Sequence, residues 1–468
     1  MYTNVLEMIG NTPLLEFKRL DAGPCRLFGK LELMNPGGSI KDRIALAMIE
    51  AAEARGELRP GATIVEATAG NTGLGLALVA QQKGYRLVLV IPDKMSPEKI
   101  FNCRAMGAEV ILTRSDVAKG HPEYYQDMAE RLARENGWYY INQFGNPDNP
   151  AAHERTTAPE IWEQMGHELD AVVVGVGSSG TVTGLTRFFR RVAPHVEIVL
   201  ADPQGSVLAE YVATGVLKEK SESWLVEGIG EDFIPSICDL SGVRRAYTIT
   251  DAESFAAARE LLLREGIQAG SSTGTLLAAA LRYCREQTRP KRVVTFVCDT
   301  GNRYLSKFYN DNWLFDLGFA TRPRYGDLRD FIGRPQETRA AVTVGPDDTL
   351  ATAHTRMRNS GVPQLAVLDG ERFLGVLTEW DVIRAVAEEG ADFKRPVREV
   401  FGRGFPTIDT GASFATLLAR LAMEPALAVV GEDGRFHGLV TRADVLNHLR
   451  RRADGREPGP RPSGVIPA

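Results

Sequence analysis

The chain of 468 residues is 44% hydrophobic and 25% charged, which is typical of a globular protein with several domains and excludes disorder over most of its length. Its 55 lysines and arginines against 60 aspartates and glutamates give a net charge of −5, which argues against nucleic-acid binding driven by net charge. No apolar run approaches the roughly 18 residues of a membrane span, no leader-like segment opens the sequence, and the five cysteines lack C-x-x-C spacing. We therefore expect a cytoplasmic protein with no membrane partner, no metal site and reduced thiols.

Up to about residue 310, apolar β-rich runs alternate with helix-like stretches. The predicted strands span residues 62–67, 86–91, 109–112, 170–176, 197–201 and 292–297. The predicted helices span residues 71–83, 97–106, 123–135, 181–191, 254–264 and 274–285. Most strands are continuous runs of Val, Ile and Leu, the pattern of strands buried on both faces of a parallel sheet. We predict an open α/β fold with ligands at the carboxyl ends of strands, and a smaller mobile subdomain within about 83–142.

The pattern changes after residues 315–324, a Gly-, Pro- and Arg-containing segment typical of a linker. Beyond it, residues 375–381 (GVLTEWD) are echoed by residues 438–444 (GLVTRAD). Each copy ends a predicted pair of short strands, follows one helix and opens another. The predicted strand pairs are 364–368 with 373–377 and 426–430 with 436–440, and the preceding helices are 350–359 and 414–423. Two copies of a unit that cannot bury its apolar face alone should pack against each other.

Residues 35–43 (NPGGSIKDR) contain a candidate reactive amine. The Pro-Gly-Gly turn and the capping side chain of Ser39 predict a helix that begins near Ile40. Lys41 then lies in the first turn, where the helix dipole already carries positive charge and disfavours an ammonium. A lysine that loses its proton readily suits Schiff-base chemistry. The other interpretation is a solvated surface lysine.

Four further candidate binding segments lie where the ligand site of an α/β fold would open. Backbone N–H groups and hydroxyls of residues 68–73 (TAGNTG) favour a carboxylate. Residues 175–181 (GVGSSGT) favour a phosphate monoester, because the Gly-Lys-Ser/Thr ending of a nucleotide-binding loop is absent. Within residues 269–274 (AGSSTG), the hydroxyl of Ser272 suits a neutral ring nitrogen, and residues 298–302 (CDTGN) end the last long strand. An ordinary capped turn is the alternative for each segment.

These segments, in this order at strand-to-helix junctions, resemble the fold-type II pyridoxal-phosphate family of cysteine synthases and cystathionine β-synthases. The resemblance covers about residues 4–314 and includes residues 9–14 (IGNTPL), 143–147 (QFGNP), 227–230 (EGIG) and 303–306 (RYLS). It implies a catalytic domain over residues 1–316, pyridoxal 5′-phosphate as cofactor, amino acids as small-molecule substrates, and a homodimer or higher homo-oligomer.

The resemblance also implies roles for single residues. Lys41 would be catalytic, holding the cofactor through its amine and later moving the Cα proton. The other implied cofactor contacts are Asn71 with the ring hydroxyl, Ser272 with the pyridine nitrogen, and Gly177, Ser178, Ser179, Gly180 and Thr181 with the phosphate. The implied substrate residues are Thr68, Gly70, Asn71, Thr72 and Gln143 for the amino-acid carboxylate, with Glu227, Gly228 and Asp232 nearer the second substrate. Ser178 and Ser179 depart from the usual Gly-Thr-Gly-Gly-Thr of this family.

The C-terminal repeat resembles a tandem CBS-domain pair, or Bateman module, over about residues 326–451. The resemblance implies a linker at 317–330, domains at 331–392 and 393–452, and a disordered tail at 453–468. Its Gly-x-x-Thr-x-x-Asp signature would bind an adenosine-type effector, such as S-adenosylmethionine, AMP or ATP, through Thr378, Asp381, Thr441 and Asp444. The alternative is that each Thr and Asp only complete a capping box.

The reaction implied is β-replacement on L-serine or an activated serine through an enzyme-bound aminoacrylate. Glu227, where cysteine synthases usually carry Gln, residues 307–313 (KFYNDNW) and the appended module favour homocysteine as second substrate and cystathionine as product. A carboxylate at Glu227 or Asp232 could meet the amino group of homocysteine, which sulfide lacks. Residues 142–147 and 298–306 look closer to cysteine synthases.

Two alternatives stay open from the sequence. One is a cysteine synthase that uses sulfide with O-acetylserine or O-phosphoserine. The other is a nucleotide-binding regulatory protein on an inactive scaffold, against which Lys41 argues. Because no segment before Tyr2 could carry a Cys/His ligand pair, no haem is expected.

Overall fold

A computed structural model describes residues 1–68, 70–93, 95–117, 120–217, 222–387 and 392–453. The tail predicted at 453–468 lies outside these residues apart from Ala453. The chain divides into two compact units, Met1–Tyr309 and Asn310–Ala468. Among the described residues, no helix has both the length and the apolar character needed to cross a membrane.

The first unit contains two sheets with parallel pairing throughout, except that its first two strands are antiparallel. Its strands are β1 Leu14–Phe17, β2 Arg26–Lys30, β3 Thr63–Ala67, β4 Arg86–Pro92, β5 Glu109–Thr113, β6 Tyr139–Tyr140, β7 Ala171–Gly175, β8 Glu197–Pro203, β9 Val243–Ile249 and β10 Arg292–Phe296. The larger sheet has the order β1-β2-β10-β7-β8-β9 and the smaller β5-β4-β3-β6. The predicted α/β class with mostly parallel sheets is confirmed.

Helices connect these strands and cover the sheets. They are α1 Lys41–Ala54, α2 Asn71–Lys83, α3 Pro97–Ala105, α4 Tyr125–Asn136, α5 Asp148–Ala152, α6 Ala158–Gln164, α7 Gly180–Val192, α8 Leu208–Thr214, α9 Asp251–Glu265 and α10 Ser271–Arg285. Apolar side chains of α1 and α2, such as Ile44, Met48 and Leu76, are fully buried in one core with Ile64 and Leu89 of the smaller sheet. This burial fixes the starts of α1 and α2, where two of the candidate segments lie.

Four strands of the first unit were absent from the sequence prediction: β1, β2, β6 and β9. Three of them, β1, β6 and β9, are edge strands, which are short or interrupted by charged residues and therefore lack a continuous apolar run. The inner strand β2 ends in Lys30, a fully buried lysine whose ammonium lies 2.7 Å from Glu160 Oε2. A charged residue in an interior strand interrupts the apolar run by which such a strand is recognised in the sequence. The smaller sheet includes β3, which lies before residues 83–142, and the bounds of the mobile subdomain stay a prediction.

The second unit contains two three-stranded sheets of the same topology. Its strands are β11 Thr343–Val344, β12 Gln364–Asp369, β13 Arg372–Thr378, β14 Thr407–Asp409, β15 Ala426–Val430 and β16 Phe436–Thr441. Its helices are α11 Asp311–Asp316, α12 Leu350–Ser360, α13 Glu379–Ala387, α14 Phe414–Met423 and α15 Arg442–Ala453. In each sheet the first pair is parallel and the second antiparallel. Ala366 and Leu368 of one sheet share a buried cluster with Ala428 and Phe436 of the other, as expected for two packed copies.

Candidate active site

A cavity of about 480 Å³ opens in the first unit, next to the carboxyl ends of strands from both sheets. Fourteen of the fifteen residues predicted for the cofactor and substrates line it. They are Lys41, Thr68, Gly70, Asn71, Thr72, Gln143, Gly177, Ser178, Ser179, Thr181, Glu227, Gly228, Asp232 and Ser272. The fifteenth, Gly180, is the first residue of α7. The structure thus brings together segments that are far apart in sequence.

Lys41 is the first residue of α1, one position after the predicted helix start. Its backbone N–H donates to Ser39 Oγ at 3.2 Å, which holds the preceding turn against the helix. Its side chain lines the cavity. Burial lowers the pKa of the ammonium below its ordinary value, although Cys298, Glu231 and Asp299 oppose the shift. The amine is therefore easier to deprotonate than a surface lysine, for the dipole reason given above and for burial in addition.

The loop after β3 is joined to the segment after β6 by a chain of hydrogen bonds. Thr68 Oγ1 accepts from the N–H groups of Gly70 and Gly73 at 3.0 and 3.3 Å. Thr72 Oγ1 donates to Gln143 Oε1 at 2.7 Å, and Gln143 Nε2 donates to the carbonyl of Ala67 at 3.0 Å. Thr68, Thr72 and Gln143 are all buried. This arrangement holds hydroxyl and amide groups together at the cavity wall, as a carboxylate site requires.

Asn71 is held by residues that sequence reasoning did not assign to the site. Its Nδ2 donates to Asp299 Oδ2 at 2.8 Å, and its Oδ1 accepts from Arg303 Nη1 at 2.7 Å. Arg303 Nη2 also donates to the carbonyl of Gly37 in the turn before Lys41. Both polar atoms of Asn71 are thus engaged, so the ring-hydroxyl contact that the resemblance implies would have to share or replace one of these bonds.

The glycine-rich loop after β7 has no space for added side chains at two positions. A Cβ at Gly177 would lie 2.5 Å from the carbonyl oxygen of Gly228, and one at Gly180 would lie 1.8 Å from Asn149 Oδ1. Asn149 Nδ2 donates to Ser178 Oγ at 3.0 Å and to the carbonyl of Gln143 at 2.8 Å. Asn149 therefore ties this loop to the segment after β6.

Ser179 stands where the resembling family usually has glycine, and its backbone shows the consequence. Its φ of 68° lies in the left-handed region that favours glycine. Its Oγ is buried without a hydrogen-bond partner in the described part of the chain. This hydroxyl lines the cavity beside the thiol of Cys238, so it can donate to a ligand bound there. That observation fits a bound anion at this loop.

The two remaining cofactor positions have neutral surroundings. Thr181 Oγ1 lies 3.3 Å from Nε2 of His153, and burial, with the charge of Lys41, keeps the pKa of that ring well below its usual value. Ser272, at the second position of α10, lies beside Cys298, whose thiol pKa burial raises to about 12. A neutral hydroxyl beside a neutral thiol suits an unprotonated ring nitrogen.

These residues fit pyridoxal phosphate. The group needs a deprotonated lysine amine for its aldehyde, donors for its phosphate and a hydrogen-bond partner for its ring nitrogen. Lys41 supplies the first, the loop with the unpartnered Ser179 Oγ supplies the second, and Ser272 supplies the third. The roles of these residues stay predictions, since the fit concerns chemistry and space alone.

Glu227 is not the free carboxylate that the sequence suggested for an incoming amino group. Lys99 Nζ donates to its Oε2 at 2.7 Å and Lys307 Nζ donates to its Oε1. Burial would raise the pKa of Glu227, but the two ammonium groups outweigh burial and lower it. Glu227 is therefore ionised and paired, whereas Asp232 is exposed near the cavity wall.

The two Thr–Asp pairs of the second unit form the capping boxes that the sequence left open as an alternative. Asp381 Oδ2 accepts from the backbone N–H and Oγ1 of Thr378 at 2.9 and 2.7 Å. Asp444 Oδ2 accepts from the same groups of Thr441 at 2.8 and 2.6 Å. In each pair the second carboxylate oxygen is not needed for the cap. Nucleotide binding at these positions stays a prediction.

Sequence reasoning assigned no role in the site to four contributors: Lys99, Asn149, Asp299 and Arg303. Each acts through a partner far away in the chain, and none of them lies in a glycine-rich segment. Asp299 offered the strongest available signal, since it falls within residues 298–302 after the last long strand. Lys99 gave none, because a lysine in an amphipathic helix is ordinarily a surface residue.

Comparison with known proteins agrees with this geometry. The family of pyridoxal-phosphate dependent enzymes matches residues 5–299, and the CBS domain family matches residues 336–388 and 397–451. A cystathionine β-synthase of Oryctolagus cuniculus is 35% identical, covering 97% of this chain and 86% of its own. Cysteine synthase 1 of Neurospora crassa is 42% identical, covering 65% of this chain and 83% of its own.

Solved structures give the same result for the first unit. The crystal structure of an O-acetylserine-dependent cystathionine β-synthase from Helicobacter pylori superposes with a TM-score of 0.61 at 36% identity. The matched region covers 66% of this chain and 98% of the Helicobacter pylori chain. The chain belongs to the cystathionine β-synthase family of pyridoxal-phosphate-dependent enzymes and carries a C-terminal pair of CBS domains.

Proposed function

We propose that the protein condenses L-serine, or an activated serine, with L-homocysteine to give cystathionine by β-replacement. The observation that carries this choice is the match of cystathionine β-synthases along 97% of the chain, through both units. The site geometry agrees with it, because Lys41, the glycine-rich loop after β7 and Ser272 line one cavity.

Lys41 would perform the proton transfers. Bound pyridoxal phosphate supplies an electron sink for the pair left at Cα when a proton is removed. The Nζ of Lys41, once free of the cofactor, is the base that takes the Cα proton of the first substrate and later returns a proton to Cα. Burial favours the neutral amine that this step needs. General acid–base assistance of this kind contributes about 10²–10⁴-fold to a rate.

The wall formed by Thr68, Thr72 and Gln143 would orient the first substrate through its carboxylate. Because Gln143 is fixed by its bond to Ala67 and Thr72, the wall is preorganised and little rotamer freedom is lost on binding. The carboxylate position would set which Cα bond faces Lys41.

The second candidate function is cysteine synthesis from sulfide and O-acetylserine or O-phosphoserine. It is favoured by the 42% identity of the Neurospora crassa cysteine synthase over 65% of the chain. That match leaves much of the second unit unexplained, which is why we place this function second.

For the second unit, we propose an adenosine-type effector such as S-adenosylmethionine or AMP at Thr378 and Asp381, or at Thr441 and Asp444. Support comes from the match of the CBS domain family over residues 336–388 and 397–451, which contain these residues. We also propose that the protein is a homodimer, as the resemblance to this family implies, and that it is cytoplasmic.

A competition assay tests the proposed function. The purified protein, saturated with cofactor, receives serine, O-acetylserine and O-phosphoserine together with homocysteine and sulfide, and products are read by mass. We expect cystathionine to exceed cysteine. Cysteine as the main product at equal acceptor concentrations would establish the second candidate instead.

A further inference from the structure

An ion triad of Lys99, Glu227 and Lys307 lines the cavity and contains none of the residues assigned to the cofactor. Glu227 Oε2 lies 2.7 Å from Lys99 Nζ, and Glu227 Oε1 pairs with Lys307 Nζ. The exposed fractions of the side chains are 6% for Glu227, 1% for Lys99 and 20% for Lys307. The triad therefore has an inner ammonium, a central carboxylate and an outer ammonium that solvent or a ligand can reach.

The inner lysine places the triad beside the first-substrate wall. A Cβ at Gly70 would lie 2.5 Å from Lys99 Cδ, so the stem of Lys99 packs directly on the loop after β3. The ammonium of Lys99 lies 4.7 Å from the ring centre of Tyr304 and makes a cation–π contact. These contacts hold Lys99 in place independently of Lys307.

The charges of the triad do not cancel, because two ammonium groups share one carboxylate. One ammonium suffices to neutralise a buried carboxylate, and the second remains a site for an anion. An α-amino acid carries both a carboxylate and an ammonium. Its carboxylate can pair with Lys307, which then no longer pairs with Glu227. Its ammonium can pair with Glu227 Oε1 in the position that Lys307 has left. Every ion then keeps a partner of opposite charge.

We propose that Lys307 and Glu227 form the subsite for the zwitterionic head group of the second substrate, with Lys307 binding its carboxylate. This inference rests on the proposed function and extends it by naming the residues that select an amino-acid thiol over sulfide. Glu227 then meets the ammonium only after the carboxylate has engaged Lys307. Glu231 and Asp232 of the same segment also line the cavity and are further carboxylates near that ammonium.

The test compares acceptors that differ in one charge. Homocysteine, 4-mercaptobutanoate (no ammonium), 3-mercaptopropylamine (no carboxylate) and sulfide are each given to the holoenzyme with the same first substrate. In Lys307→Met we expect kcat/KM to fall by about tenfold or more for homocysteine and 4-mercaptobutanoate, through KM. The values for 3-mercaptopropylamine and sulfide should change less than twofold, and Lys307→Arg should recover most of the loss.

Lys83→Met is the matched control. Lys83 is also paired with a glutamate, Glu53, at 2.8 Å, its side chain is 22% exposed, and it does not line the cavity. It should leave all four acceptors unchanged. If Lys307→Met slows all acceptors equally, or none, the subsite assignment is wrong even though cystathionine is made. If the wild type accepts sulfide alone, the proposed function and the subsite both fail.

Discussion

The hydroxyl of Thr72 donates a hydrogen bond to Oε1 of Gln143 across 2.7 Å, between two segments 71 residues apart in the chain. Gln143 Nε2 in turn donates a hydrogen bond to Glu66 Oε1 at 3.3 Å. Glu66 lies in β3, fully buried, and its Oε2 has no partner among the described residues. The first-substrate wall is thus supported from behind by a carboxyl group in an apolar interior.

Glu66→Gln should make the protein more stable at neutral pH. Burial raises the pKa of Glu66 from 4.5 to about 8. The unfolded chain loses this proton above pH 4.5 while the folded chain keeps it, so the free energy of unfolding falls as pH rises from 4.5 to 8. By pH 7 the loss is about 3 kcal/mol. Glutamine keeps the acceptor for Gln143 and does not titrate.

Urea unfolding at pH 5, 6, 7 and 8 measures this effect. The wild type should lose stability across the series, and Glu66→Gln should lose less. Glu109→Gln, at an exposed position of β5, is the control and should follow the wild type. Parallel curves for wild type and Glu66→Gln would show that the buried carboxyl does not take up a proton on folding.

Lys41→Ala should remove both covalent cofactor attachment and turnover. The wild type should show an absorption band near about 410 nm, and borohydride reduction should add the cofactor mass to the peptide containing Lys41. The variant should show neither, and its rate should fall by about 10²–10⁴-fold or more. Lys83→Ala should behave as the wild type. Cofactor mass on another lysine of the wild type would contradict the assignment.

Gly180→Ala should weaken cofactor binding. The added Cβ would lie 1.8 Å from Asn149 Oδ1, so Asn149 or the start of α7 must move, at a cost of about 1–3 kcal/mol. Fluorescence titration of the apoprotein with pyridoxal phosphate should show at least about a tenfold higher Kd. Gly404→Ala has no heavy atom within 4 Å of its new Cβ and should leave both Kd and Tm unchanged. An unaltered Kd for Gly180→Ala would place the phosphate elsewhere.

Glu160→Gln should destabilise the protein at neutral pH but much less in acid. Glu160 Oε2 accepts from Arg43 Nη2 and Lys30 Nζ, each at 2.7 Å. Burial opposes ionisation, but the two cations lower the pKa of Glu160 from 4.5 to about 2. Its stabilisation is therefore complete above pH 4.5 and is lost as pH falls towards 2.

We expect Glu160→Gln to cost about 3–5 kcal/mol at pH 7, the usual effect of removing one partner of a buried ion pair. The difference in free energy of unfolding between variant and wild type should shrink as pH falls from 4.5 to 3. Chemical denaturation at several pH values measures it. A difference that is constant with pH would mean that Glu160 acts through packing and not through its charge.

Asp444→Asn should abolish the thermal stabilisation of the second unit by an adenosine compound. Ligand at about 100 times its Kd stabilises a folded state by about 2.7 kcal/mol. S-adenosylmethionine and AMP are therefore added separately, and the ligand-induced change in Tm is compared with that of the control Asp369→Asn. Since the substitution also weakens a capping box, the ligand-induced change is the readout, not Tm itself. If the ligand-induced change in Tm of Asp444→Asn is as large as that of the wild type, Asp444 does not take part in nucleotide binding.

The sequence was informative wherever burial is continuous along a strand. The predicted strand at 86–91 and the observed β4, Arg86–Pro92, differ by one residue, and the predicted helix at 71–83 coincides with α2. Most residues of both elements are buried, so their apolar pattern is nearly continuous. The edge strand β9 was missed because two consecutive exposed residues, Arg244 and Arg245, interrupt its apolar pattern.

Within the site, the sequence identified the loops but not what holds them. Loop residues carry local signals, such as glycines and hydroxyls beside a strand end. Lys99 contacts a residue 128 positions further along the chain, and Asn71 contacts one 228 positions away. No local pattern encodes such partners. For the same reason, the sequence presented Glu227 as a free carboxylate, while the fold surrounds it with two cations.

The hydrogen bonds of the Arg303 guanidinium restrict how the segments that it connects can differ between species. It joins Asn71, which begins a helix packed on the smaller sheet, to the carbonyl of Gly37, in the turn that carries Lys41. Hydrogen bonds from one guanidinium therefore connect three segments that are far apart in the chain. A chimera that took one of these segments from a relative with a differently shaped turn would keep the reactive side chains but not their relative positions. We therefore expect the three segments to be inherited together.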